Sequence, residues 1–175
     1  MTKESSVSSP YHSVVHSALT PTFSHDHWDR YYNLRYTVLR QPWQDRLGSE
    51  RDRSDKEAAV VHVGIFDAAR ECVACARVEE TPESSAAAPT YQVRYVATDD
   101  TVRGQGLGRK VMEAVEKCAA DAAKQKYALS KVLILLNARE VALGFYEKLG
   151  YTLVCKTYLM YGLVQHYQMT KAIEL

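Results

Sequence analysis

The sequence predicts an α/β fold built on one mixed β-sheet, and three observations carry that expectation. Residues 91–98 alternate and are rich in β-branched and aromatic side chains. Glycines 104, 106 and 108 follow, and then Leu107, Val111, Val115, Cys118 and Ala122 recur at helical spacing, giving strand, glycine-rich turn and helix. Residues 131–136 form a continuous apolar run, as in a strand buried on both faces within a parallel pair. Residues 59–66 and 72–79, joined by a short polar connection at 67–71, read as an antiparallel hairpin.

Composition narrows the class. With 175 residues the chain suits one domain, expected over 11–175 after a Ser-rich flexible tail at 1–10. Hydrophobic residues make up 46% and charged residues 25%, ordinary values for a globular protein. The net charge of +1 offers no broad attraction to nucleic acid or to a membrane surface. No apolar run approaches the roughly 20 residues of a membrane span, and the first residues lack an apolar signal core. Cys72 and Cys75 form a C-x-x-C without a second pair, inside what reads as a strand. Free thiols in a reduced, cytoplasmic protein are expected, with no metal.

In order along the chain, residues 11–19 suggest a first strand that Pro21 interrupts. Ser24 or Asp26 then caps a helix whose Trp28, Tyr31, Arg35 and Val38 repeat at three and four, with Pro42 stopping it near Arg40. His25-Asp26-His27 looks like a metal triplet, but adjacent helical residues do not share a face, so helix capping is the expectation. Residues 44–57 are almost wholly polar and read as a solvated loop or short helical turn. His62 falls in the apolar run of the hairpin and is expected in the core. Residues 80–89 lack periodicity and read as a flexible loop. After the strand at 131–136, which ends at Asn137, residues 138–149 suggest a short helix stopped by Gly150. Residues 151–156 and 165–171 complete the strands.

The glycine-rich turn carries the chemistry. Glycines let a ligand approach backbone N–H groups, and the following helix offers unpaired N–H groups and the positive end of its dipole. Arg103, Arg109 and Lys110 add charge there, so the turn suits a phosphate or diphosphate. A P-loop would need Gly-Lys-Ser/Thr, which is missing, and the Gly-x-Gly-x-x-Gly dinucleotide spacing does not fit. Arg-x-x-Gly-x-Gly does fit, as Arg103, Gly106 and Gly108, and resembles the acetyl-CoA diphosphate loop of the GNAT-type N-acetyltransferases. A second stretch resembles another signature of that superfamily: Asn137, Ala142, then Phe145-Tyr146 and Gly150-Tyr151. Residues 34–40 and 166–171 also look like a subset of small, mostly uncharacterised family members.

The resemblance implies a mixed sheet of about six to seven strands flanked by about four helices. It implies acetyl-CoA as co-substrate and a small-molecule or peptide amine as acceptor, in a monomer or homodimer. By the same likeness, the main chain of Gly104, Gln105, Gly106, Leu107 and Gly108 would hold the diphosphate with Arg103 and Arg109. Ala97 and Thr98 would bond the pantetheine arm through backbone groups, Asn137 would reach it, and Phe145 would pack on the cofactor. Tyr146 would be the general acid toward the leaving thiolate. Glu79, Glu80, His166 or water remain open as the base. An acyltransferase using another acyl-CoA or acceptor, and an inactive CoA-binding sensor, are the alternatives.

Overall fold

The computed structural model describes residues 9–127 and 130–175. Most of the tail expected at the N-terminus, residues 1–8, lies outside the described residues. Seven strands form one sheet: β1 (His12–His16), β2 (Val61–Phe66), β3 (Cys72–Glu80), β4 (Thr90–Thr98), β5 (Lys131–Arg139), β6 (Thr152–Met160) and β7 (Val164–Glu174). Their spatial order is β1-β2-β3-β4-β5-β7-β6. β4 and β5 run parallel, while every other neighbouring pair is antiparallel.

Among the described residues, three α-helices accompany the sheet: α1 (His25–Leu39), α2 (Leu107–Lys126) and the short α3 (Leu143–Glu147). The polar segment around 44–57 makes short helical turns of the 3-10 type, at Gln41–Trp43 and Arg53–Lys56. α1 begins where its cap dictates. Ser24 Oγ accepts from the His27 N–H at 3.2 Å, and the Ser24 N–H donates back to His27 Nδ1 at 3.1 Å. The His-Asp-His triplet is therefore a helix start.

The two long helices pack on opposite faces. Along β2, Val63 and Ile65 join the core under α2, whereas His62 meets Tyr31 of α1, as the period-two alternation of a strand requires. From α2, Val111, Met112 and Val115 are fully buried, each worth about 1.5–3 kcal/mol of transfer free energy. His62 is a core residue: its Nε2 meets the Asp55 carbonyl at 2.9 Å, and burial pushes its pKa down to about 4. Cys72 and Cys75 are buried free thiols in β3.

The stretch from 137 to 149 departs from expectation. β5 runs on to Arg139, because β7 continues in register to the Arg139–His166 pair and satisfies its backbone. The helix is correspondingly short. A 3-10 turn fills Glu140–Ala142, and α3 starts without a side-chain cap and carries Gly144. α3 ends at Glu147 with Lys148 as its cap, earlier than the expected stop at Gly150, which turns the chain at φ 89° before β6. No helix among the described residues is long and apolar enough to cross a membrane.

Candidate active site

The site begins where the one parallel pairing ends. β4 and β5 are paired only from Thr90–Leu133 to Val93–Leu136. Beyond that point β4 stays with β3, Cys75 facing Ala97 and Ala74 facing Thr98. β5 stays with β7, Asn137 facing Gln168 and Arg139 facing His166. The result is a fork, and among the described residues the facing edges of its two arms have no strand partner.

A bulge shapes the β4 arm. Between the Arg77–Arg94 and Cys75–Ala97 pairs, β3 advances two residues (77 to 75) and β4 three (94 to 97). Tyr95 takes up the extra residue at φ 55°, which costs a non-glycine residue roughly 1–2 kcal/mol. Its ring lies 3.6 Å from the Arg35 guanidinium, and its hydroxyl donates to Asp52 Oδ2 at 3.0 Å. These contacts hold the strained residue in place.

The glycine-rich turn closes the mouth of the fork. Gly104 and Gly106 sit at φ 81° and 77°, and a Cβ built on either would meet nothing within 4 Å. The turn is thus bare main chain facing open space. Gly106 caps α2 without a side-chain bond, and the first turn of α2 holds no acidic residue. The Leu107, Gly108 and Arg109 N–H groups precede the first helical bond, from Lys110 to Gly106. At Gly108 an added Cβ would come 3.3 Å from both Phe145 Cζ and Thr98 Oγ1. The ends of β4, α2 and α3 therefore converge on that glycine.

A diphosphate with an amide-bearing arm suits this geometry. The turn presents N–H donors and dipole to the anion. On the β5 arm Asn137 Oδ1 is buried without a hydrogen-bond partner, a free acceptor for an amide N–H. Arg103 and Arg109 are exposed beside the turn, and Arg103 pairs with Asp100 at 2.6 Å. The Gln105 side chain accepts from the Tyr11 hydroxyl at 2.8 Å. Ala97 is buried, Phe145 is exposed, and Tyr146 is buried with its ring 5.0 Å from Phe145 and 5.8 Å from Tyr151. Burial pushes the Tyr146 phenol up, and Arg139 opposes this in part, so the phenol keeps its proton at neutral pH.

The candidate bases separate cleanly. Glu80 accepts from Lys126 and from the Tyr127 hydroxyl, at the C-terminal end of α2. The turn lies at the other end of that 20-residue helix, about 30 Å away by helical rise. Glu79 accepts from Arg77 at 2.9 Å and from Arg94 at 3.2 Å and is committed to that cluster. His166 is buried beside Arg139 on the fork, with its ring stacked 4.5 Å from that of Tyr158. Its Nδ1 donates to the Val164 carbonyl at 2.9 Å, which leaves the Nε2 lone pair free. Burial lowers its pKa, and Arg139 and Arg40 lower it further, so the ring is neutral at pH 7.

Sequence reasoning passed over two groups of residues. Segment 44–57 is not wholly solvated: Asp55 is buried against Arg35 and Arg77, and Glu50 is buried as well. The available signal was Arg77 within an apolar strand, which demands a partner. The second group is Arg40, Arg139 and Tyr158 near His166, with Trp43 beside Arg139 and Tyr161 stacked on Trp43. A recess of about 860 Å³ lies between the N-terminal half of α1 and residues 51–57, with Asp52, which accepts from the Tyr95 hydroxyl, in its lining.

Comparison with known proteins shows the family and a shared fold. A sequence-family profile described as "Acetyltransferase (GNAT) domain" matches residues 57–153. The fold is similar to that of an acyl-CoA N-acyltransferase from Pseudomonas aeruginosa, with TM-score 0.70, 19% identity and coverage of 92% of this chain and 99% of the other. It is similar to Escherichia coli ElaA, with TM-score 0.70, 18% identity and coverage of 92% and 97%. It is also similar to an aminoglycoside 6'-N-acetyltransferase complexed with coenzyme A, with TM-score 0.63, 15% identity and coverage of 91% and 96%.

Proposed function

Given that the chain belongs to the GNAT acetyltransferase family and is an acyltransferase, we propose that it moves an acetyl group from acetyl-CoA to a primary amine of a small molecule or peptide. The observation that carries this reading is the convergence on Gly108. The open arm of β4, the uncapped N-terminus of α2 and the ring of Phe145 meet there, opposite the unbonded Asn137 Oδ1.

When bound, acetyl-CoA supplies an acyl group activated as a thioester. The chain supplies the rest. N–H groups of Leu107, Gly108 and Arg109, with the bare turn at Gly104 and Gly106, receive the diphosphate, and Arg103 and Arg109 add charge nearby. The free backbone edge at Ala97 and Thr98 receives the pantetheine arm as an added strand would be received, with Asn137 on the opposite side. An N–H of that edge would be a donor for charge on the thioester oxygen. Tyr146 holds its proton until negative charge appears on the departing sulfur and then gives it up. The neutral His166 Nε2 takes a proton from the ammonium or the attacking amine, directly or through one water. The free buried thiols of Cys72 and Cys75 fit a reducing compartment such as the cytoplasm.

Tyr146→Phe tests the assignment because it removes one hydroxyl and keeps the ring. Turnover should drop about a hundredfold or more, with CoA affinity by calorimetry within about twofold of wild type. Full turnover in the variant would remove Tyr146 from the chemistry. A wild-type protein that binds CoA yet releases no thiol with any amine would favour the sensor reading. A panel of acyl-CoAs, read by thiol release, separates acetyl from longer acyl donors.

A further inference from the structure

Two arginines stand at the fork, one by each arm, and among the described residues no carboxylate lies within 4.0 Å of either. Arg40 follows α1, with its guanidinium 5.5 Å from the ring of Tyr95 on the β4 bulge. Arg139 ends the β5 arm, with its guanidinium 5.8 Å from the Trp43 ring. The two converge on one oxygen: Arg40 Nη1 donates to the Leu39 carbonyl at 3.3 Å and Arg139 Nη2 donates to it at 3.1 Å. Neither side chain is freely exposed. Burial lowers the Arg139 pKa and the Arg40 charge lowers it further, which is the cost of bringing two like charges together out of water.

Every other arginine in the described residues that is not exposed has a carboxylate partner: Arg30 with Asp26 and Glu71, Arg35 with Asp55, Arg77 with Asp55 and Glu79, and Arg94 with Asp52 and Glu79. The carboxylate that acts on Arg40 is Asp45, but its oxygens already accept from the Tyr161 hydroxyl at 2.6 Å and the Arg46 N–H at 2.8 Å. With His166 neutral, two arginines and one aspartate leave a formal charge of +1. Arg40 Nη2 and Arg139 Nε and Nη1 make no hydrogen bond among the described residues. On the same wall Trp43 Nε1 is buried with no partner, and the Trp43 ring stacks 6.0 Å from that of Tyr161.

We propose that the acceptor is an amine that also carries a carboxylate, the carboxylate bound between Arg139 and Arg40 and the amine presented toward His166. The inference rests on the acyl-transfer reading above and narrows its acceptor. Planar guanidinium donors match a carboxylate in two-point contact, and the aromatic walls exclude the water that would screen the pair. A single net positive charge matches one carboxylate better than a phosphate, which carries up to two negative charges.

Matched acceptors test it: amino acids, their amides and the corresponding aminophosphonates, each assayed by thiol release with acetyl-CoA. With the wild-type enzyme the acids should exceed their amides by roughly tenfold to a hundredfold in kcat/KM, mostly through KM. Arg139→Gln should erase that preference, Arg40→Gln should weaken it, and Arg139→Lys should restore part of it. CoA affinity by calorimetry should be unchanged in all three, which also reports that they are folded. Amides accepted as well as acids, phosphonates preferred over carboxylates, or a preference that survives both Gln variants would each overturn the proposal. A loss of CoA affinity in Arg139→Gln would do so too, by moving Arg139 to the cofactor. Absence of CoA binding in the wild type would overturn the acyl-transfer reading itself and this inference with it.

Discussion

On the α1 face of the sheet, Arg35 and Arg77 are fully buried and share Asp55, which also accepts from the Asp52 N–H at 2.9 Å. Arg40 and Arg139 lie further along toward the fork, half-buried, and share only a carbonyl oxygen. In the first group each charge has a counter-charge inside the chain, and the cluster ties α1, β3 and the turn at Arg53–Lys56 to one another. In the second the chain leaves one positive charge uncompensated next to its open cleft. Buried charge that is neutralised belongs to the architecture. Buried charge left over beside a cleft points to a ligand that completes it.

The largest expected effect breaks the neutralised group. Asp55→Ala strands the buried Arg35 guanidinium, leaves Arg77 with Glu79 and the longer Asp52 contact, and should destabilise the fold by about 3–5 kcal/mol in chemical denaturation. A loss under about 1 kcal/mol would show that the arginines find water or other partners, and the contrast between the two groups would fail. Acid should act the same way on the wild type. Burial alone would raise the Asp52 and Asp55 carboxyls, but bonds from Ser54 and Tyr95 on Asp52, and the charges of Arg35 and Arg77 on Asp55, hold both below the usual range. Their contribution is therefore complete above the unfolded carboxylate pKa of about 3.9. It is lost as pH falls through the lower folded values, where the unfolded chain binds more protons.

A smaller effect, of the opposite sense, is expected at the fork. Arg139→Met keeps an unbranched apolar stem and removes the guanidinium with its charge. It gives up one bond to the Leu39 carbonyl and relieves repulsion from Arg40. Stability should stay within about 1 kcal/mol of wild type or rise, while activity toward anionic acceptors falls. A loss comparable to that of Asp55→Ala would make Arg139 a structural residue and erase the distinction.

Much of this architecture was legible in the chain. Alternation and apolar runs gave seven strands, and the glycine spacing placed the uncapped helix start. The Phe145-Tyr146 pair fell next to it, as Phe145 against Gly108 shows. The parting of β4 and β5 was not legible, because strand pairing in the sheet is a tertiary fact and both strands read as uninterrupted. The bulge at Tyr95 was equally hidden, since no glycine or asparagine marks its positive φ; the arginine stacked on its ring supports it instead. The polar run at 44–57 looked solvated because composition cannot report that Asp55 turns inward. Arg40 and Arg139 stand 99 residues apart and meet only through β5's extra length beyond Leu136 and the end of α1.

The smallest predicted effect is a shift in a pH profile, and it joins the two arginines to the chemistry. His166 faces Arg139 across the β5–β7 pair, with Arg40 beyond it, Tyr158 stacked on its ring and the Val164 carbonyl on Nδ1. Burial lowers its pKa first, and the two arginines lower it further, against the Val164 bond. As base it must be neutral, so kcat/KM should fall on the acid side as pH drops through a value below the ordinary histidine pKa of about 6.5. Arg139→Gln removes one of the lowering charges, and protonation then sets in sooner as pH falls. The acid limb, measured with an amine lacking a carboxylate so that acceptor binding is not the variable, should move to higher pH. His166→Asn should abolish the limb along with most of the rate. A limb that stays in place in Arg139→Gln and persists in His166→Asn would assign the proton to water or to the amine itself. The arginine pair would then serve acceptor binding alone.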